Sequence, residues 1–97
     1  MRVRWTREAA ADLEDVLSYI AERNPAAAAA VADRIEETIT VIKQWPYAAR
    51  QDKETGVREA VIRGLPLLVI YTINSLVEII AVFHTSRNPA TKRRRRR

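Results

Sequence analysis

The sequence contains no cysteine among its 97 residues. It can therefore form no disulfide, use no thiol as a nucleophile and build no cysteine-based zinc site. It also contains a single histidine, His84, and one histidine without cysteine supplies too few ligands for a metal ion. We therefore expect neither a metal nor a cofactor. The absence of cysteine is compatible with a reducing cytoplasm, where we expect the protein to act.

Long apolar segments are missing as well. The longest, Leu65 to Ile73, has the length of a strand and contains a proline, whereas a membrane-spanning helix needs about 20 apolar residues. The first seven residues carry three arginines instead of the apolar segment of a secretory leader. We expect one domain over residues 1–90, followed by a disordered basic tail over residues 91–97.

The positive charge of the chain is unevenly distributed. The net charge is +5, but six positive charges lie at the end of the sequence, and the other 91 residues hold 11 basic and 12 acidic groups. Within residues 7–45, eight acidic groups face four basic ones, so the helical region is acidic and the sheet region is basic. The tail is a candidate site for nucleic acid or an acidic partner, because six cations can neutralise about six phosphates. Its residues are Lys92, Arg93, Arg94, Arg95, Arg96 and Arg97.

The first half of the chain has the pattern of one strand and two helices. Met1 to Trp5 alternates between apolar and charged residues, as in a half-buried strand. Thr6 is a suitable N-cap, and apolar residues then recur at helical spacing. Asn24-Pro25 ends the first helix and begins a second, which Pro46 stops. The two helices should form an αα-hairpin.

The second half of the chain has the pattern of a β-meander. A polar loop over residues 46–56 precedes strands at Val57–Arg63, Leu67–Ile73 and Leu76–Phe83. Short turns join these strands, which should therefore pair antiparallel. The second strand lacks clean alternation, as expected of a strand that is covered on both faces or central in the sheet. The order β-α-α-β-β-β predicts an α+β fold, an antiparallel sheet with the αα-hairpin packed on one face. The first strand should join the sheet beside the last part of the meander.

A series of short motifs resembles the ParE branch of the ParE/RelE superfamily of type II toxins, the plasmid stabilisation toxins. The motifs are Trp5 with Ala9 and Asp12-Leu13, Tyr19-Ile20 with Asn24-Pro25, Ile42 with Trp45-Pro46, Gly56-Val57-Arg58-Glu59, Tyr71, and Val82-Phe83-His84-x-x-Arg87. The resemblance covers about residues 1–90. It implies a RelE/ParE-like fold and a toxin that inhibits DNA gyrase by direct binding. It also implies a cognate ParD-like antitoxin, an acidic segment of which lies across the toxin surface in a hetero-oligomer.

The sister branch, similar to RelE, supplies an alternative function, that of a ribosome-dependent mRNA endoribonuclease. Its members place basic residues along the sheet and a tyrosine or histidine near the C-terminus, which deprotonates the 2′-hydroxyl. Where many such nucleases carry arginine, this sequence has Leu67-Leu68, and His84 is followed by Thr85. His84 is the candidate general base under this alternative. Otherwise it ends the last strand and hydrogen-bonds a turn.

Four residues on or beside the strands are candidates for contact with the target or partner, namely Arg58, Arg63, His84 and Arg87. Arg58 and Arg63 lie five positions apart, an odd spacing, so on one strand they would point to opposite faces. The aromatic residues have a different expected role. We expect Trp5, Trp45, Tyr19 and Tyr71 in the core or at its edge.

Overall fold

The structure, a computed structural model, describes residues 1–85. Its elements are β1 (Val3–Trp5), α1 (Arg7–Arg23), α2 (Pro25–Gln44), β2 (Arg50–Gln51), β3 (Arg58–Val61), β4 (Leu67–Ile73) and β5 (Val77–His84). The strands form one sheet in the order β1-β5-β4-β3-β2. The α+β class and the helical hairpin are confirmed, and the predicted loop contains the additional short strand β2. No helix within residues 1–85 is long and apolar enough to cross a membrane.

The sheet is mixed, because one of its strands is parallel to its neighbour. The strands β3, β4 and β5 pair antiparallel, as predicted. β1 lies beside β5, also as predicted, but runs parallel to it, with Val3 opposite Val77 and Trp5 opposite Ile79. The sequence pattern predicted a wholly antiparallel sheet since no short turn connects β1 to β5, and only such a turn would have revealed their relative direction.

Two polar side chains set the helix boundaries. Thr6 Oγ1 accepts the N–H of Ala9 at 3.1 Å, which caps α1, and also donates to the carbonyl oxygen of Ile79 at 2.9 Å. Asn24 Oδ1 accepts the N–H of Ala27 at 3.0 Å and caps α2. The predicted helix starts are therefore confirmed, and Thr6 additionally ties the start of α1 to the sheet.

The apolar side chains form two clusters, one on each face of the sheet. The cluster between the sheet and the helices includes Val16, Ile35, Ile62, Val69, Tyr71 and Ile79. The cluster on the other face is formed by Leu68, Ile70, Ala81 and Phe83. Successive β4 side chains enter alternate clusters and all are buried from the first to the fifth position of the strand. β4 is also the central strand of the sheet, so the prediction of a strand that is covered on both faces or central in the sheet is confirmed.

The aromatic residues only partly follow the prediction. Tyr71 is fully buried, and Trp5 packs against the core as a partly buried residue. Trp45 and Tyr19 are 65% and 42% exposed and are not among the residues that pack against the core, so the prediction that they lie in the core or at its edge is wrong. Tyr19 and Arg23 are about one helical turn apart on α1. The guanidinium carbon of Arg23 is 4.4 Å from the centroid of the Tyr19 ring, within the range of a cation–π contact.

Candidate partner-binding surface

The predicted contact residues lie at two different ends of the sheet. Arg58 begins β3 opposite Tyr71, whereas His84 ends β5 opposite Leu67. Tyr71 and Leu67 are four residues apart on β4, a separation of about 13 Å. Arg63 lies beyond the end of β3, at the His84 end of the sheet. The other predicted residues, Arg87 and Lys92–Arg97, lie outside the described residues.

Arg58 holds the chain segment between α2 and β2. Its Nη1 donates to the carbonyl oxygens of Tyr47 at 3.1 Å and Ala49 at 2.9 Å, and its Nη2 donates to Oε1 of Gln51 at 3.3 Å. The guanidinium carbon is also 5.2 Å from the centroid of the Tyr47 ring, in cation–π range. Arg58 therefore positions this segment, and its influence on a binding surface is exerted through the residues that it holds.

Tyr71 fixes the same segment from inside the fold. Its hydroxyl donates to the carbonyl oxygen of Pro46 at 2.6 Å. Burial raises the pKa of Tyr71, and the nearby charge of Arg58 lowers this pKa by a smaller amount. The phenol thus remains a protonated donor at neutral pH. Tyr71 and Arg58 together hold residues 46–51 against the sheet.

An open apolar groove lies beside this segment, between α2 and β3, and we name it the α2–β3 groove. Its volume is about 480 Å³. Two apolar side chains of α2 that border it, Val41 and Trp45, are 54% and 65% exposed. Tyr47, on the anchored segment, is 62% exposed. A group of large exposed apolar side chains is typical of a protein-binding surface.

The far end of the groove is formed by the turn between β3 and β4. Nη1 of Arg34 on α2 donates to the carbonyl oxygen of Arg63 at 2.6 Å. Gly64 permits this approach, because a Cβ atom there would lie 2.8 Å from the same nitrogen. Since β3 ends at Val61, Arg63 belongs to the turn, and the opposite-face argument for a shared strand does not apply to it. Its exposed side chain borders the groove together with Glu37.

The outer edge of β3 is only half covered by the strands of residues 1–85. β2 pairs with Arg58 and Glu59, and β3 continues past it to Val61. The N–H of Ile62 donates to the carbonyl oxygen of Leu67 at 3.0 Å. Backbone groups alternate in direction along an antiparallel strand, so the N–H and C=O of Val61 point away from β4. They face the uncovered edge that adjoins the α2–β3 groove.

A second groove lies on the opposite flank of α2, between α2 and α1. Its volume is about 300 Å³, and apolar side chains line it. The main ones are Trp5, Leu13, Leu17, Ile35 and Ile39. The helical hairpin thus leaves apolar surface on both sides of α2.

His84 has an apolar neighbourhood on the adjacent strand. It is half-buried at the end of β5, and the β4 residues beside it, Leu67 and Leu68, are both buried. The side chains of Leu67 and Leu68 carry no charge that could bind a phosphate. Within residues 1–85, no group of three or more histidine, aspartate or glutamate side chains could hold a metal ion.

Val41 and Trp45 were not among the predicted contact residues, although the sequence contains a signal for them. The core stripe of α2 contains Ile35 and Ile42. Val41 and Trp45 are four residues apart and therefore lie in one row along the helix. Val41 directly precedes the core residue Ile42, so this row lies on a neighbouring face of α2. Apolar residues outside the core pattern were therefore the indicator of this surface.

Comparisons with known proteins identify relatives across most of the chain. A family model described as the ParE toxin of the type II toxin–antitoxin system parDE matches residues 3–89. A Sinorhizobium fredii protein with the toxin name Y4kP is 34% identical over 83 residues, which are 86% of each chain. Toxin RelE2 of Caulobacter vibrioides is 30% identical over 86 residues, which are 89% of this chain and 97% of that protein.

A solved structure also has the same fold. It belongs to the chromosomal ParDE toxin–antitoxin system of P. aeruginosa, and its TM-score to this chain is 0.74. The match covers 84% of this chain and 92% of the other. Its sequence identity is 24%, so this similarity concerns the fold alone.

Proposed function

The chain belongs to the ParE toxin family of type II toxin–antitoxin systems, and from this premise we propose that it inhibits DNA gyrase by binding it directly. The observation that carries the proposal is the extent of the family match. Residues 3–89 include both helices and all five strands. The proposed target places the toxin in the cytoplasm, where gyrase acts on DNA.

The shape of the described surface supports action by binding rather than by bond cleavage. The exposed aromatic residues Trp45 and Tyr47 lie on a segment that internal hydrogen bonds hold in place. Aromatic residues that are already held in place lose little conformational entropy on binding, which makes them favourable contacts in protein interfaces. We include Arg63, His84 and Arg87 among the contact residues, with Arg58 positioning Tyr47.

The proposed neutralising partner is a cognate ParD-like antitoxin. A type II toxin is stored in complex with its antitoxin, and the apolar grooves on both flanks of α2 are surfaces that such a partner would cover. The basic tail, Lys92–Arg97, would attract an acidic antitoxin segment or nearby DNA. Both roles of the tail belong to the proposal.

One observation favours a second candidate function. The relative named Toxin RelE2 is 30% identical to this chain over 86 residues, which keeps ribosome-dependent mRNA cleavage as the alternative. His84 would then act as the general base. Under this alternative His84→Ala abolishes mRNA cleavage while antitoxin binding is retained.

The two functions are separated by testing one folded preparation in two assays. The toxin is titrated into gyrase with relaxed plasmid, and in parallel into translating ribosomes with a reporter mRNA. We expect supercoiling to fall with toxin concentration and the mRNA to stay intact. Toxin mixed beforehand with its antitoxin is the control and should leave supercoiling unchanged. Cleaved mRNA with normal supercoiling would replace the proposal with the nuclease alternative.

A further inference from the structure

We propose that residues 86–97 of this chain dock on the face of the sheet opposite the helices, where the carboxylate of Glu59 holds an arginine of that segment. We call this face the back face, and its buried apolar residues are Leu68, Ile70, Ala81 and Phe83. Residues 86–97 lie outside the described part of the chain. The docking belongs to the toxin by itself and depends neither on gyrase nor on an antitoxin.

The strand registers place Glu59 among the apolar residues of the back face. Residues directly opposite on neighbouring strands share a face, and Glu59 lies opposite Ile70, which lies opposite Ala81. In the next row, Leu68 lies opposite Phe83. Glu59 is 9% exposed and is the one charged residue that is buried within residues 1–85. A carboxylate among apolar side chains is costly unless a cation compensates it, so the back face favours a positively charged occupant.

Neither helix contributes an apolar residue to the cluster on the back face. The core residues of α1 and α2 all belong to the cluster on the other face. Within residues 1–85, the partly buried apolar residues that pack against the back-face cluster are Val57 and Ile80, and the members of the cluster are only 3–6% exposed. An antiparallel sheet with helices on one face commonly has polar residues on its other face, which water covers. This apolar face instead requires a cover of protein.

The chain leaves β5 on the side of β4, because Thr85 is bound to the turn that precedes β4. The N–H of Thr85 donates to the carbonyl oxygen of Pro66 at 2.9 Å, and its hydroxyl donates to the same oxygen at 3.2 Å. The next residues are Ser86-Arg87-Asn88-Pro89, and serine, asparagine and proline are frequent in turns. The helices occupy one face of the sheet, so the open route for a chain that reverses direction here is the back face.

Arg87 is the first cation of the segment and can reach Glu59. Counted through the register of Glu59 with Ile70 and Ala81, Thr85 is two strands and four positions from Glu59, a separation of about 17 Å. Two extended residues cover about 7 Å of this, and the combined length of an arginine and a glutamate side chain covers the rest. A guanidinium has five N–H donors, of which a carboxylate uses two, so Arg87 keeps donors for contact with a target.

Charge and covalent attachment favour this occupant over a second copy of the chain. Arg87 and the six residues of the tail give residues 86–97 seven cations, and the segment has no acid. Two back faces packed together would instead bring two Glu59 carboxylates into one apolar interface, which is unfavourable. A segment joined directly to β5 also has an effective concentration of about millimolar or more. The surface left for partners is then on the side of the helices.

Cleavage by trypsin after Arg87 tests the docking in the full-length toxin. Glu59→Gln keeps the size of the side chain and removes its charge, and Glu54→Gln makes the same change at an exposed position. We expect Glu59→Gln to accelerate formation of the 1–87 product about tenfold or more and Glu54→Gln less than about twofold. Mass spectrometry measures this product, and cleavage within residues 1–85 should keep its wild-type rate in both variants. Equal rates for Glu59→Gln and wild type would overturn the proposal.

A spin label on the segment tests the same docking with Glu59 intact. The chain has no cysteine, so Ala90→Cys provides a single attachment site. The methyl NMR signal of Ile70 on the back face should broaden several-fold more than that of Ile35 on the helical side. Arg87→Gln should remove this difference, whereas the matched control Lys92→Gln should keep it. Equal broadening on both faces without these substitutions would overturn the proposal. Both measurements use the toxin alone, so a failure to inhibit supercoiling would refute the proposed target and leave the docking result in force.

Discussion

Arg58 and Arg63 have the same charge but different surroundings. The guanidinium of Arg58 donates to two carbonyl oxygens and one side-chain oxygen of the segment between α2 and β2. Arg63 takes part through its backbone carbonyl, which accepts from Arg34, while its side chain is exposed beside the α2–β3 groove. Arg58 positions the segment between α2 and β2, and Arg63 is the arginine that we propose to contact a partner.

Replacing each arginine by alanine should separate these two roles. Arg58→Ala leaves the carbonyls of Tyr47 and Ala49 without a charged donor and should lower the free energy of unfolding by about 1–3 kcal/mol. Arg63→Ala should change this free energy by less than about 0.5 kcal/mol but weaken gyrase inhibition. Urea denaturation and the supercoiling assay measure the two effects. Equal stability losses in the two variants would contradict the assignment.

Tyr71→Phe isolates the hydroxyl that holds Pro46. The variant keeps the buried ring but loses one hydrogen bond, so the free energy of unfolding should fall by about 1 kcal/mol at neutral pH. The effect also depends on pH. The pKa of Tyr71 is raised in the folded state, so its stabilising contribution is complete below the unfolded pKa of about 10 and is lost as the pH rises through the folded pKa. Denaturant titrations at several pH values should therefore show wild type approaching the variant above about pH 10. A constant difference across that range would contradict this account.

At the scale of elements, the two helix caps differ in how they connect to the sheet. Thr6 bonds both to α1 and to β5, whereas the side chain of Asn24 caps α2 alone. Thr6→Ala should therefore cost about 2 kcal/mol and Asn24→Ala about 1 kcal/mol of unfolding free energy. Thr6→Ser keeps the hydroxyl and is the matched control. Thermal or urea unfolding gives the comparison, which a larger loss for Asn24→Ala would contradict.

Most elements could be predicted from local patterns because their signals are local. Thr6, Asn24 and the apolar spacing indicated both helices, and the bounds of β4 agree with the prediction. The direction of β1 and the pairing of β2 with β3 depend on contacts between distant parts of the chain, for which periodicity gives no information. The same limit applies to the site. The α2–β3 groove exists only after the packing of α2 on the sheet brings Val41 beside β3.

At the scale of the whole molecule, the charge of the tail differs from that of the body. The 91 residues before Lys92 hold 11 basic and 12 acidic groups, so the overall charge of +5 comes from the last six residues. Binding to duplex DNA, where it occurs, should therefore depend mainly on the tail. Binding to gyrase through Trp45 and Tyr47 should depend on it much less.

Deletion of residues 92–97 should separate these two kinds of binding. The truncated toxin should lose most of its affinity for duplex DNA, and the salt dependence of that binding should become shallower by about five in log–log slope. Gyrase inhibition should remain within about twofold of the full chain. Fluorescence anisotropy with labelled DNA over a salt series measures the first effect. Unchanged DNA affinity after deletion would show that the tail does not hold the phosphates.

A direct binding measurement is the best test of the proposal that this ParE-family toxin acts by binding gyrase. Immobilised toxin, freed from its antitoxin, is exposed to a concentration series of the assembled gyrase in biolayer interferometry, without ribosomes or mRNA. The account predicts saturable binding in the concentration range that inhibits supercoiling, and loss of that binding when the antitoxin is added first. An absence of binding by folded toxin that still arrests growth would contradict the account.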